Sequence, residues 1–236
     1  MIDAAGSGKL RALYILGENP TTTDPDSNHV KQCLADAEFV VLQEIFPSDT
    51  AQYADVLLPG TSWAEKDGTF TNTERRIQLV REAIEPLGEA RPDWAVIGDL
   101  ARRMLALQGL KASGPHSGWE YATPWQILDE IAAVTPQYAG VTHDRLEHGD
   151  QLHWPVNDAA HPGTPILHIG QFSRGKGKFH ACEHLPAREL PDAAYPLLLT
   201  TGRVLYHWHG GEMTRRARGL LAIYPRTLVE INPEDA

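Results

Sequence analysis

Three short apolar runs, separated by turn and helix signals, constrain the fold of this chain more than any other feature. "LRALYIL" (Leu10–Leu16), "EFVVLQ" (Glu38–Gln43) and "DVLLP" (Asp55–Pro59) are continuously apolar rather than alternating. A strand of that kind is buried on both faces, which is the pattern of a parallel sheet covered by helices. The intervening residues agree. Gly17 ends the first run, and "GENPTTTDPDS" is a turn-rich loop. From Asn28, Val30, Cys33, Leu34 and Ala37 fall at helical spacing, with Ser27 or Asp26 as N-cap. "DTAQYA" supplies a short helix before the third run. This β-α-β-α-β order predicts an α/β fold, a Rossmann-like parallel sheet with flanking helices.

Beyond Glu65 the pattern changes. Asp67-Gly68 is a hairpin-turn signal, and the residues from Thr69 to Arg75 alternate as in an extended segment. Pro92 opens a helix with Trp94, Ile97, Ala101 and Met104 on one stripe. A further helix begins at Thr123-Pro124, with Trp125, Leu128, Ile131 and Ala132 inside. Residues 138–191 read as a long irregular connection, a length that usually means a segment packed over a neighbour. "AYPLLLTTGR" (Ala194–Arg203) and "RTLVEINPEDA" (Arg226–Ala236) read as further strands.

Bulk properties narrow the function classes. A net charge of −10 over 236 residues argues against a groove that follows a nucleic-acid backbone. The 2 cysteines, Cys33 and Cys182, make neither a disulfide framework nor a cluster ligand set. Reduced thiols suit a cytoplasmic protein. No apolar run approaches the ~20 residues that span a bilayer, and "MIDAAGSGKLRA" lacks the apolar core of a secretion signal.

In an open parallel sheet, ligands sit at the carboxyl ends of the strands. One such end is Gly17-Glu18-Asn19-Pro20 on to Thr23, where Gly17 permits close backbone approach and Asn19 and Thr23 offer donors. Another is Gln43-Glu44, aimed at a nucleotide's base or ribose. Both also suit simple turns, and the spacing is not G-x-G-x-x-G, which argues against an ordinary nicotinamide site. "YHWHGGEMTRR" (Tyr206–Arg216) leaves several readings open. His207 and His209 on a strand share one face and suit a metal, with His180, Cys182 and His184 as the nearest further ligands. Either is also a possible general base. With Trp208, Arg203, Arg215 and Arg216 they equally suit a polar wall for a planar polyanion, or a buried histidine satisfied by backbone. Lys66, Arg75 and Arg76 alone read as a solvated hairpin face.

Taken together, "LYILGENPTTTDPD", "LQEIFPSDTAQYADVLLPGTSWAEKDGTFTNTERRIQ", "GEARPDW", "LTTGRVLYHWHGGEMTRR" and "VEINPEDA" resemble the catalytic (alpha) subunit of molybdenum- or tungsten-dependent formate dehydrogenases, within the molybdopterin oxidoreductases. The likeness runs from about Lys9 to Ala236 and is loosest over 105–118 and 155–185. It implies oxidation of formate to carbon dioxide, or the reverse, at a metal held by the dithiolenes of two molybdopterin guanine dinucleotides. Residues 1–137 would be an α/β domain that binds one guanine dinucleotide, incomplete at its N-terminus. Residues 138–191 would connect it to 192–236, the truncated start of a β-barrel-like (double-psi) domain that also binds the cofactor.

Carried over by position, Gly17, Glu18, Asn19 and Thr23 would line the guanosine and diphosphate, completed by Gln43 and the strand end from Asp55 to Pro59. Glu65, Gly68 and Asn72 would lie nearer the pterin edge. Arg203, His207, Trp208 and His209 would contact pterin, with His207 and His209 lining the metal pocket. No catalytic residue and no metal ligand is expected in this chain. The family's metal-ligating Cys or selenocysteine followed by His is absent from it, as are the four cysteines of the iron–sulfur cluster. The resemblance therefore implies an internal piece of a longer subunit, inactive alone. It would be partnered by the rest of the alpha subunit and by electron-transfer subunits, in the cytoplasm. A fragment of a nitrate reductase-type enzyme and a stand-alone, non-catalytic cofactor-binding module are the competing implications.

Overall fold

In the computed structural model, which describes residues 1–110 and 118–236, the three apolar runs form one parallel sheet in the order β1-β2-β3. The chain begins with α1 (Ile2–Gly6) and enters β1 (Ala12–Leu16). The short α2 (Pro20–Thr23) and then α3 (Ser27–Ala35) lead to β2 (Phe39–Glu44). Asp26 caps α3 by accepting from the His29 N–H at 3.3 Å. A 3₁₀ turn (Asp49–Tyr53) precedes β3 (Val56–Pro59).

The register pairs Leu13 with Val40 and Ile15 with Leu42, so these four side chains share one sheet face. That face is covered over β2, where Val40 and Leu42 are fully buried beneath the buried Val30, Cys33 and Leu34 of α3 and Ala5 of α1, whereas Leu57 of β3 on the same face is 48% exposed. Tyr14, Leu16, Phe39 and Val56 project from the opposite face and stay partly exposed.

A second core forms around a hairpin. β4 (Gly68–Thr71) and β5 (Ile77–Val80) pair antiparallel, with Thr71 opposite Ile77. The reversal therefore lies at 72–76, not at Asp67-Gly68. Asp67 instead holds the strand ends together, its carboxylate accepting from the Glu82 N–H at 2.9 Å. α4 (Asp93–Gln108) follows, then α5 (Pro124–Val134) and α6 (His143–Glu147). Ile77, Leu128, Val141, Leu146, Leu152 and Val156 make one buried cluster, with Leu79, Tyr138 and Trp154 packed on it. The segment expected to be irregular thus packs over the hairpin as far as Val156, and it contains a helix. Arg75 ties it down: its guanidinium donates to the carbonyls of Trp154, Thr164 (2.9 Å) and Pro165 (3.0 Å).

Among the described residues of 192–236 there is no strand. A 3₁₀ turn (Thr214–Arg216) and α7 (Arg218–Ile223) are the regular elements there. The strands expected at Ala194–Arg203 and Arg226–Ala236 do not form. A strand exists through hydrogen bonds to a neighbour, and neither run has a ladder partner among the described residues. Leu197, Leu198, Leu199 and Val229 remain exposed.

Candidate functional site

The carboxyl ends of β1 and β2 open into a cleft of about 290 Å³, closed on one side by Trp208–Met213. β1 ends at Gly17, whose φ of +63° is the left-handed region that favours glycine. Its N–H still reaches the Gln43 carbonyl at 2.9 Å, so the ladder continues to the cleft's edge.

Asn19 is the organising residue, 3% exposed. Its side-chain oxygen accepts from the Thr50 hydroxyl (2.8 Å), the Thr50 N–H (3.2 Å) and the Thr21 hydroxyl (3.1 Å). Its amide donates to Glu212 at 2.7 Å. One buried amide thus joins the loop after β1, the turn after β2 and the Trp208–Met213 segment, which lies 193 residues away in sequence.

Gln43, 1% exposed, forms the floor. Its oxygen accepts from the Tyr14 hydroxyl, and its amide donates to Asp93 at 2.7 Å. Asp93 begins α4 and also pairs with Lys66 at 2.6 Å. That pair lies at the edge of a second, more apolar hollow that includes Gly68, Phe70, Trp94 and Trp125.

The acidic groups in the lining are Glu18, Glu44, Asp93 and Glu212, with no Lys or Arg among the described lining residues. Burial pushes the Glu44 carboxyl above its ordinary range, with the Glu212 and Asp93 charges acting in the same direction and the Ile45 and Phe46 N–H groups opposing them. The Arg216 guanidinium lies 4.3 Å over the ring of Phe46, a lining residue. Trp208 and His209 stack 4.7 Å apart at 12°, making a flat aromatic plate.

Of the residues singled out in the sequence, the cleft collects Gly17, Glu18, Asn19, Thr23, Gln43, Glu44, Trp208 and His209. The others lie elsewhere. His207 is buried, 2.8 Å from the Tyr224 carbonyl and 3.2 Å from the Thr214 hydroxyl. It thus turns away from His209, whose φ of +49° breaks any shared strand face. Asp55 sits at the amino end of β3, accepting from the Val40 N–H at 2.7 Å. Glu65 accepts from the N–H groups of Ser62 (2.8 Å) and Leu87 (3.0 Å). Asn72 shapes the hairpin reversal by accepting from the Arg76 N–H at 2.9 Å. Gly68 borders the second hollow, and Arg203 is exposed.

Sequence reasoning missed Ser48, Asp93 and Glu212. Ser48 borders the cleft, and its buried hydroxyl has no hydrogen-bond partner among the described residues. An orphaned donor of this kind marks a place for a ligand atom.

A floor of satisfied amides, a rim of carboxylates, an aromatic plate and an unfilled hydroxyl are chemically suited to a polar planar ligand. Two family models match stretches of the chain. Residues 1–103 match the family model "Molybdopterin oxidoreductase", and residues 197–236 match "Molydopterin dinucleotide binding domain". The chain thus carries a molybdopterin oxidoreductase domain match over its first 103 residues and a dinucleotide-binding domain match over its last 40.

Its relatives include the F420-dependent formate dehydrogenase subunit alpha of Methanocaldococcus jannaschii, 47% identical over all of this chain and 34% of that protein. The F420-dependent formate dehydrogenase 1 subunit alpha of Methanococcus maripaludis is 44% identical, with the same coverage. A probable oxidoreductase of Bacillus subtilis, YjgC, is 39% identical over 99% of this chain and 23% of its own length. The chain thus spans about a third of the length of the first two of these relatives. Among solved structures, the acetylene hydratase of Pelobacter acetylenicus aligns with a TM-score of 0.48 at 21% identity, over 62% of this chain and 19% of that one.

Proposed function

We propose that this chain is part of a formate dehydrogenase alpha subunit and supplies a surface for molybdopterin guanine dinucleotide. The observation that carries the reading is the convergence, in one cleft, of the turn after β1, the end of β2 and the Trp208–Met213 segment. The cofactor fits the donor set. The Ser48 hydroxyl awaits an acceptor, such as a phosphate or ribose oxygen. The carboxylates of Glu18, Glu44 and Glu212 suit the N–H edge of a guanine and ribose hydroxyls. Trp208 and His209 offer a plate for a ring system.

In the full subunit the reaction is HCOO⁻ → CO₂ + H⁺ + two electrons, or its reverse. The bound molybdenum or tungsten, held by the pterin dithiolenes, supplies the electron acceptor. This chain's own residues orient that group. Asn19 fixes Glu212 and hence the segment bearing Trp208, Gln43 and Asp93 hold the floor rigid, and Phe46 with Arg216 closes one wall. Residues 1–137 and 192–236 act as two cofactor-binding parts joined by 138–191. The iron–sulfur cluster, the metal's protein ligand and the contacts to electron-transfer subunits belong to the rest of the subunit, in the cytoplasm. No helix among the described residues is long and apolar enough to cross a membrane.

The experiment is formate-dependent dye reduction. The lone chain shows none, and activity appears when it is combined with the remainder of the alpha subunit loaded with cofactor. Nitrate-dependent activity of that reconstituted subunit, without formate oxidation, would overturn the substrate assignment.

A further inference from the structure

Away from the cleft, the contact between α1 and α3 gathers three side chains of a different character. His29 and Cys33 are four residues apart on α3 and so share one face of it. α1 crosses that face so closely that a methyl group on Gly6 would lie 2.6 Å from the Cys33 sulfur. The crossing brings Asp3 over His29, with a carboxylate oxygen 2.7 Å from Nε2. The Cys33 sulfur lies 3.5 Å from the same nitrogen. One oxygen, one nitrogen and one sulfur all fall within 4.8 Å of one another. Cys33 is buried, while Asp3 and His29 open to solvent.

We propose that Asp3, His29 and Cys33 form a surface zinc site that fastens α1 to α3. The donors select the metal. A thiolate disfavours calcium and magnesium, which take oxygen ligands, whereas a thiolate with an imidazole and a carboxylate suits zinc. The span is right as well. Zinc bonds of about 2.0–2.3 Å in a tetrahedron set ligand atoms roughly 3.5 Å apart. The sulfur–nitrogen spacing already has that value, and the oxygen–nitrogen pair needs only to open around an inserted ion. Solvent provides the fourth ligand on the exposed side. Binding converts the Cys33 thiol to thiolate and releases that proton to water. Neither the cleft residues nor the proposed redox chemistry uses these groups. The role is structural, holding residues 2–6 against the helix that precedes β2.

The test uses the full chain, thiols kept reduced, with Cys182→Ala as background so that the exposed thiol contributes nothing. Cobalt(II) replaces zinc as a spectroscopic probe. The expected result is one equivalent bound, with a thiolate-to-cobalt charge-transfer band, intense visible bands of a tetrahedral centre, and displacement of both by zinc. Cys33→Ser abolishes the charge-transfer band, and His29→Gln weakens zinc binding about tenfold or more. His29 is half exposed, so that variant keeps its fold, which circular dichroism verifies. The absence of a charge-transfer band in the Cys182→Ala chain overturns the proposal, as does zinc affinity unchanged by His29→Gln.

Discussion

Residues 1–165 and residues 166–236 behave as two kinds of polypeptide within one chain. In the first, every strand finds its partner within a few dozen residues, and Val40, Leu42, Val141 and Val156 lose all contact with solvent. In the second, runs just as apolar stay open. Leu199 is 84% exposed and Val229 83% exposed. Apolar content alone therefore does not make a core. It needs a neighbouring element whose backbone and side chains complete it, and the second region meets such elements chiefly where the Trp208–Met213 segment reaches the Asn19 loop.

The sharpest contrast is a paired truncation. Leu42→Ala removes a fully buried side chain and is expected to cost roughly 2–5 kcal/mol, read from denaturant unfolding. Leu199→Ala is expected to change stability by less than about 0.5 kcal/mol. Equal costs for the two would break the distinction between the regions.

This difference also explains what the sequence disclosed. β1, β2 and β3 were legible because continuous apolar runs, a glycine stop and a capped helix lie close together, so local signals and tertiary pairing agree. The hairpin reversal was hidden. It turns on Arg75 at φ +70°, a non-glycine residue in the left-handed region, while the glycine signal at Gly68 marks a strand start. The strands read at Ala194–Arg203 and Arg226–Ala236 have apolar character but no partner, a property that no local window contains. In the cleft, Gly17, Asn19 and Gln43 were visible from their place at strand ends. Asp93 was not, because a first-turn acid is ordinary helix chemistry. The role of Glu212 depends on a hydrogen bond across 193 residues. His207 and His209 do not share a face because the i, i+2 rule assumes a strand, and the backbone there turns.

A smaller effect tests the boundary between the regions. Arg75→Ala removes three donor contacts to the carbonyls of Trp154, Thr164 and Pro165, and is expected to cost about 2 kcal/mol. Hydrogen exchange should quicken at Leu152–Val156 while β2 keeps its protection. Loss of protection throughout would mean that the hairpin and the parallel sheet unfold as one unit.

The smallest expected effect concerns pH. The folded Glu44 carboxyl titrates above its ordinary value of 4.5. Its contribution to stability is therefore fully present below that value and fades as pH rises through the raised one. Glu44→Gln should remove this decline, so that the variant gains on the parent between mildly acidic and neutral pH. A variant that instead falls behind with rising pH would contradict the burial assigned to Glu44.

The central claim is that the two regions meet to hold a guanine dinucleotide. Calorimetric titration of the full chain with molybdopterin guanine dinucleotide tests it most directly, alongside Asn19→Ala, which severs the link between the β1 loop and Glu212. Saturable binding by the parent chain, weakened about tenfold or more in the variant as a buried hydrogen-bond network is lost, is the predicted result. No binding by the folded parent chain, or equal affinity in the two, would contradict it.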